Sequence, residues 1–170
     1  MDCIFCTIIA GNLPAAHVYR DEQCIAFMDV HPLGEGHVLL IPLQHVEKLE
    51  QLHEHSRQHL YRVFDTLVAA QRRAGFGIEG THLIVNDGKA TNQHIAHAHL
   101  HLVPRKRGDA LGFAWRMLLH FTGIFGFRTP HARLQVQADA IAAQISASAA
   151  GFTETPVAET LQPDAVCKAQ

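Results

Sequence analysis

Three histidines at alternate positions, His97, His99 and His101 in QHIAHAHLHLVPRKR (93–107), restrict the local backbone more than any other feature of this chain. Ala96, Ala98, Leu100 and Leu102 fill the positions around them. In an extended strand successive side chains point to opposite faces, so the three imidazoles would share one face while the apolar set entered a core. In a helix His97 and His101 would share a face and His99 would point elsewhere. The alternation favours the strand, with a row of histidines opening onto a cleft. With fourteen histidines in the chain, a lone imidazole elsewhere carries little weight.

The flanking segments supply the rest of a sheet. Cys3–Gly11 is a short helix or tight turn closed by Gly11–Asn12, and Val18–Tyr19 and Cys24–Asp29 read as two strands of a hairpin. His37–Pro42 (HVLLIP) is a near-continuous apolar run, as in a strand buried on both faces. From Glu54 to Ala74 the period changes: Leu60, Val63, Phe64, Leu67 and Val68 make one stripe of an amphipathic helix whose back carries Arg62, Asp65, Arg72 and Arg73. Thr81–Asn86 is the next strand, joined to the histidine strand through Asp87–Gly88 and a polar loop of about eight residues, as in an antiparallel hairpin.

Beyond Arg107 the pattern loosens. Gly108–Phe127 is an apolar patch broken by glycines, suited to covering the cleft or a partner subunit. Thr129 caps a terminal helix with Pro130 in its first turn and Leu134, Ala138, Ile141 and Ile145 as its stripe, ended by Gly151. The polar tail from 152 to 170 is expected to be mobile. The reading is one α+β domain over 1–107, a C-terminal extension over 108–151 packed on it, and the tail.

At 170 residues with 48% apolar and 18% charged side chains the chain is long enough to bury a core without staples. A net charge of −2 gives no broad attraction for nucleic acid or an acidic membrane surface, so any anion must be bound locally. No apolar run reaches the roughly 20 residues of a membrane span. The start, Met1–Asp2–Cys3, lacks a basic and then apolar leader, and a cytoplasmic protein is expected. Four cysteines do not make a disulfide scaffold, whereas Cys3 and Cys6 form a Cys-x-x-Cys pair of metal-binding or redox type.

The histidine row admits three readings: an exposed sheet face with no role, a zinc site built from all three rings, or nucleophilic catalysis. In the last, an imidazole held through one nitrogen attacks phosphorus with the other while its neighbours manage protons and negative charge. His55 and His59, four apart on the helix, fit a solvated face better than a metal clip. Arg105–Lys106–Arg107 fits either a phosphate contact or a charged strand end.

HAHLHLV (97–103) matches the pattern His-x-His-x-His followed by two apolar residues, and the chain resembles the histidine triad (HIT) family, on the bacterial side of its Hint-like branch. CIFCTIIAGNLPAAHVYRDEQCIAFMDVHP, GHVLLIPLQH and VNDG followed by Gln93 agree with it in order and spacing, over about 2–107. The resemblance implies an antiparallel sheet of about five strands with a packed helix, a homodimer, and hydrolysis of a phosphoanhydride or phosphoramidate bond at the α-phosphate of a purine nucleotide. His99 matches the nucleophile that carries the nucleotidyl group. His101 and His37 match residues that stabilise charge around the phosphate, and His97 is the first member of the triad. Asp29 matches the acid that binds ribose hydroxyls, Asn86 a polar residue near ribose and phosphate, and Gln93 one beside the leaving group.

The resemblance also implies a structural zinc held by Cys3, Cys6, His45 and His97, with no metal required for catalysis. Two thiolates and two imidazoles form a closed tetrahedral set. One departure stands out: His94 occupies the place of a serine or threonine usual in the Hint-like pattern, so a bulky ring replaces a small hydroxyl beside the phosphate. His94 is either an alternative proton donor or a group that narrows the site. The rival functions are a nucleotide-binding or protein-interaction module with incidental catalysis, and a zinc-dependent hydrolase using the three histidines.

Overall fold

The computed structural model describes residues 3–122 and 128–151. Five strands, β1 (His17–Arg20), β2 (Cys24–Met28), β3 (Val38–Pro42), β4 (Gly80–Val85) and β5 (Leu100–Arg105), form one antiparallel sheet in the order β1-β2-β3-β5-β4. Among the described residues four α-helices accompany it: α1 (Ile4–Ile9), α2 (Glu54–Arg73), α3 (Ala110–Phe121) and α4 (His131–Gly151). No helix of the described residues is long and apolar enough to cross a membrane.

Both faces of the central strands are covered, which is why β2 and β3 read as continuous apolar runs. Cys24, Ala26, Met28, Val38, Leu40, Leu100 and Leu102 point into the larger core, together with Leu60, Val63, Leu67 and Val68 of α2 and Leu134, Ala138 and Ile141 of α4. The alternate residues Ile25, Phe27, Leu39 and Ile41 face the other way and meet Phe5 and Ile8 of α1. Burying each large aliphatic side chain is worth roughly 1.5–3 kcal/mol, so the helical stripes largely account for why α2 and α4 dock where they do.

The apolar faces thus follow the expected periods, with Phe64 and Ile145 half-buried at the margin. His59 corrects the reading of a solvated helix face: its Nε2 lies 2.7 Å from Asp21, tying α2 to the β1–β2 turn. Burial opposes charge on Asp21, but hydrogen bonds from the Gln23 amide, His59, the Cys24 amide and Tyr19 outweigh it and hold the carboxyl well below its ordinary range.

Four expectations are corrected. β5 begins at Leu100, so His97 and His99 lie in the approach to the strand and only His101 has a strand position. Ala96 is exposed rather than packed in the core. The connection from β4 to β5 runs from 86 to 99, longer than the eight-residue loop expected, because it contains a helical turn at Lys89–Thr91 and an extra bend around 95–97. The patch after Gly108 holds a regular helix, α3; Gly112 lies inside it without breaking it. In addition, α4 starts at His131, one residue beyond the start expected, and the Thr129 amide donates to Val30 O at 2.9 Å. The tail lies outside the described residues.

Candidate active site

The site occupies the α1 face of the sheet at β5, where alternation turns His101 away from the Leu100–Leu102 core. Behind it stands His37, closed to solvent and placed just before β3. The Leu33 amide donates to His37 Nδ1 at 3.1 Å, so this nitrogen bears a lone pair and the ring's proton sits on Nε2. His37 Nε2 then donates to His101 Nδ1 at 3.0 Å, which assigns the proton of neutral His101 to its own Nε2. That Nε2 is buried and has no partner within the described protein, while the ring lines a cavity. The Asp29 carboxylate stands 3.5 Å from His37 Nδ1, but an ion pair there would require a proton on the nitrogen already accepting from Leu33. Burial pushes His37 down to about 3, reinforced by the neighbouring His120 and His99, so the neutral ring is the one present. Burial also holds His101 well below an ordinary imidazole, with His37 and His99 adding to the effect.

His99 is fixed differently. Its Nδ1 donates to the His97 carbonyl at 2.6 Å, leaving the lone pair on Nε2 at the opposite side of the ring. Burial lowers its proton affinity, opposed by that hydrogen bond and by the charge of Asp29. The ring packs edge-on to Phe5 at 5.3 Å and to His101 at 4.9 Å between centroids. His99 and His101 open into a cavity of about 460 Å³ that also contains Asp29, Asn86 and His94. Its apolar wall is formed by Phe5, Ile8, Phe27, Leu39 and Ile95, a slot suited to a planar ring. Asp29 Oδ1 accepts the His31 amide at 2.8 Å, which orients the carboxylate at the edge of that slot.

His97 belongs elsewhere. Its Nε2 donates to Pro42 O at 2.9 Å, so Nδ1 is free of a proton and available as a ligand. Tetrahedral zinc, with bonds of about 2.3 Å to sulfur and about 2.0–2.1 Å to nitrogen, separates two nitrogens by roughly 3.3 Å and a nitrogen from a sulfur by roughly 3.6 Å. Here His45 Nδ1 and His97 Nδ1 are 3.3 Å apart, and Cys3–His97, Cys6–His45 and Cys6–His97 measure 3.6, 3.3 and 3.7 Å. All four ligand atoms lie within 4.8 Å of one another. The residues therefore fit a zinc ion; burial and the adjacent Cys3 raise the Cys6 thiol above its ordinary value.

Two expected members stand differently from the sequence reading. Gln93 does not line the cavity: its carbonyl accepts the Gly88 amide at 2.7 Å and its NH₂ donates to Glu47 O at 2.8 Å, which makes it a brace within the long loop. His97, grouped with the catalytic histidines as well as with the metal set, is kept from the cavity by its zinc-type partners and offers the site only its carbonyl. His94 stays at the mouth, where its Nε2 lies 3.1 Å from both the His120 carbonyl and the Asn92 side-chain nitrogen. His120 itself went unnoticed in the sequence, as did His31; both line the cavity. The His120 ring stands 5.8 Å from that of His101, and burial lowers its proton affinity. The one available signal was a histidine in an otherwise apolar stretch, which fourteen histidines made uninformative.

The model of the HIT domain matches residues 10–108. An adenylylsulfatase of Arabidopsis thaliana is 36% identical over 110 residues, 65% of this chain and 55% of that protein. An adenosine 5′-monophosphoramidase of Schizosaccharomyces pombe is 29% identical over 116 residues, 68% and 84% of the two chains. Among solved structures, a zinc-bound histidine triad family protein from Mycobacterium smegmatis superposes with a TM-score of 0.71 at 28% identity, covering 89% of this chain and 99% of its own. The five-stranded antiparallel sheet with its helices is the architecture of that relative. With the family match extending over more than half its length and ending just after β5, the chain belongs to the HIT family.

Proposed function

We propose that this protein hydrolyses a phosphoanhydride or phosphoramidate bond at the α-phosphate of a purine nucleotide through a nucleotidyl-histidine. The observation that carries the reading is the His99 ring, held through Nδ1–H at the His97 carbonyl so that an unprotonated Nε2 serves the cavity. Nε2 forms a bond to the α-phosphorus as the bond to the leaving group breaks, and the leaving group departs with a proton. Water then adds to phosphorus, the phosphorus–nitrogen bond breaks, and nucleoside monophosphate is released with His99 restored.

His101 Nε2–H donates to a phosphoryl oxygen as charge grows on it, and His37 keeps that proton on the cleft side. Asp29 accepts from ribose hydroxyls, Asn86 binds near ribose and phosphate, and the apolar slot takes the base. In this reading His94, which lines the cavity, meets the leaving group. Gln93 supports the reaction by bracing the loop that carries His94.

Zinc bound by Cys3, Cys6, His45 and His97 locks the chain start to the loop before β5 and takes no part in the reaction. This is favoured over a zinc hydrolase built on the triad, because His97 Nδ1 faces the two thiols and its Nε2 is held by Pro42 O, which leaves His97 no nitrogen to share an ion with His99 and His101. The protein-module reading with incidental catalysis draws no comparable support from the protonation pattern. A homodimer remains the expected assembly and cytoplasm the expected location. The test is to incubate the protein with adenosine 5′-phosphoramidate, with and without a chelator, and to quench for acid-labile nucleotide on His99. Turnover insensitive to brief chelation and lost in His99→Ala supports the reading; a wild-type protein that binds the nucleotide without turnover or adduct overturns it.

A further inference from the structure

A second cavity, of about 610 Å³, adjoins the first and shares His31 and His120 with it. It lies between the 31–35 loop, α3 and the first turns of α4, with nine of its sixteen lining residues beyond the span matched to the family. Its walls carry Lys106, Arg116 and Arg133. Glu35 serves two of these cations at once, Lys106 Nζ at 2.7 Å and Arg133 at 2.8 Å. Asp109 is gripped by Arg105 and lies in the field of Arg116, which together with the Lys106 amide hold its carboxyl down at about 2. Three cationic side chains of the lining thus stand against two carboxylates, leaving one positive charge on the wall, and Arg105, outside the lining, adds a second cation at Asp109, in a chain whose net charge is −2. Trp115, the chain's one tryptophan, is 60% exposed and lines the same space.

We propose that this cavity is an oligophosphate site that receives the leaving group of the α-phosphate reaction. Three cationic side chains on one cavity, rather than a single one, suit a chain of phosphates. Trp115 offers a platform on which a planar ring at the far end stacks. The substrate class is therefore a nucleoside bearing an extended anionic group on its α-phosphate, and His120, common to both cavities, marks the passage between them. The assignment of the anion as leaving group rests on the hydrolase reading; the anion site itself does not.

The test uses the full chain and the emission of Trp115. Inorganic tripolyphosphate is titrated in the presence of saturating adenosine monophosphate, which fills the first cavity. A saturable, salt-sensitive change in emission is expected. The Lys106→Gln/Arg133→Gln double variant removes both partners of Glu35 and should weaken binding about tenfold, as for the loss of a charge-assisted contact. Glu35→Gln releases both cations and should tighten binding, a direction that a merely structural role for these exposed groups does not give. Absence of saturable binding, or equal binding in wild type and both variants, overturns the site.

Turnover separates the two sources of anion. The double variant should lose about tenfold in kcat/KM for adenosine 5′-tetraphosphate while adenosine 5′-phosphoramidate, whose leaving group is ammonia, changes less than about twofold. Equal losses on both substrates overturn the leaving-group assignment. A wild-type protein that binds tripolyphosphate but turns over neither substrate defeats the hydrolase reading and the leaving-group assignment together, and leaves a site for free oligophosphate.

Discussion

His37 Nε2 and His101 Nδ1 are 3.0 Å apart, and the Leu33 amide on the far side of His37 decides which ring donates. The whole line of protons is set by backbone geometry before any substrate arrives. His37 thus reaches the cavity only through His101.

His37→Ala should lower kcat about 10–100-fold, as for the loss of an orienting partner behind a catalytic group, with a smaller effect on KM. His101→Ala should cost about 10²–10⁴-fold. Steady-state kinetics on adenosine 5′-phosphoramidate measure both. A His37→Ala protein that keeps wild-type kcat would sink the relay.

Acid should destabilise the fold through His37. Its affinity for a proton is lowered by folding, from about 6.5 in the open chain to about 3. The unfolded chain therefore binds more protons across that interval, and stability is lost as pH falls below about 6.5, continuing toward about 3. Thermal melts at stepped pH compare wild type with His37→Gln, which cannot titrate there. The advantage of wild type at pH 8 should shrink as pH falls to 5; a gap independent of pH would refute the assignment.

Zinc should co-purify at one ion per chain, measurable by elemental analysis. Prolonged chelation, or Cys6→Ser, should lower Tm by about 5 °C or more, the equivalent of a stabilising ligand present well above its dissociation constant. A protein free of zinc, whose melt is unchanged by chelator and restored zinc, would leave the cluster as four neighbours without a metal.

Gly36→Ala tests the loop that carries His37. Gly36 has φ of +77°, and a Cβ there would come within 2.7 Å of the Phe76 ring. Its carbonyl accepts from the buried Gln71 at 2.8 Å and its amide donates to Gln137 at 3.0 Å, so it cannot shift freely. Denaturant unfolding should show a loss of about 1–3 kcal/mol. An alanine variant as stable as wild type would contradict this account.

Periodicity is local, and what it encodes was legible in the chain. The apolar run of β3, the stripe of α2 and the stripe of α4 bury the residues their spacing indicated, save Phe64 and Ile145 at the margin. The motif residues His99, His101 and Asp29 likewise line the cavity. Alternation alone, however, made His97, His99 and His101 equivalent. Contacts across the chain divide them: Cys3 lies 94 residues from His97, and His37 lies 64 from His101. The same holds for His94 and His120, brought together by α3, and for Glu35 with Lys106 and Arg133. The sequence by itself determined the faces of the elements and the chemistry stored in each motif. Tertiary structure decided which imidazole joins the two thiols, which opens into the cavity, and which cations gather around Glu35, because each depends on partners that only folding brings within hydrogen-bonding reach.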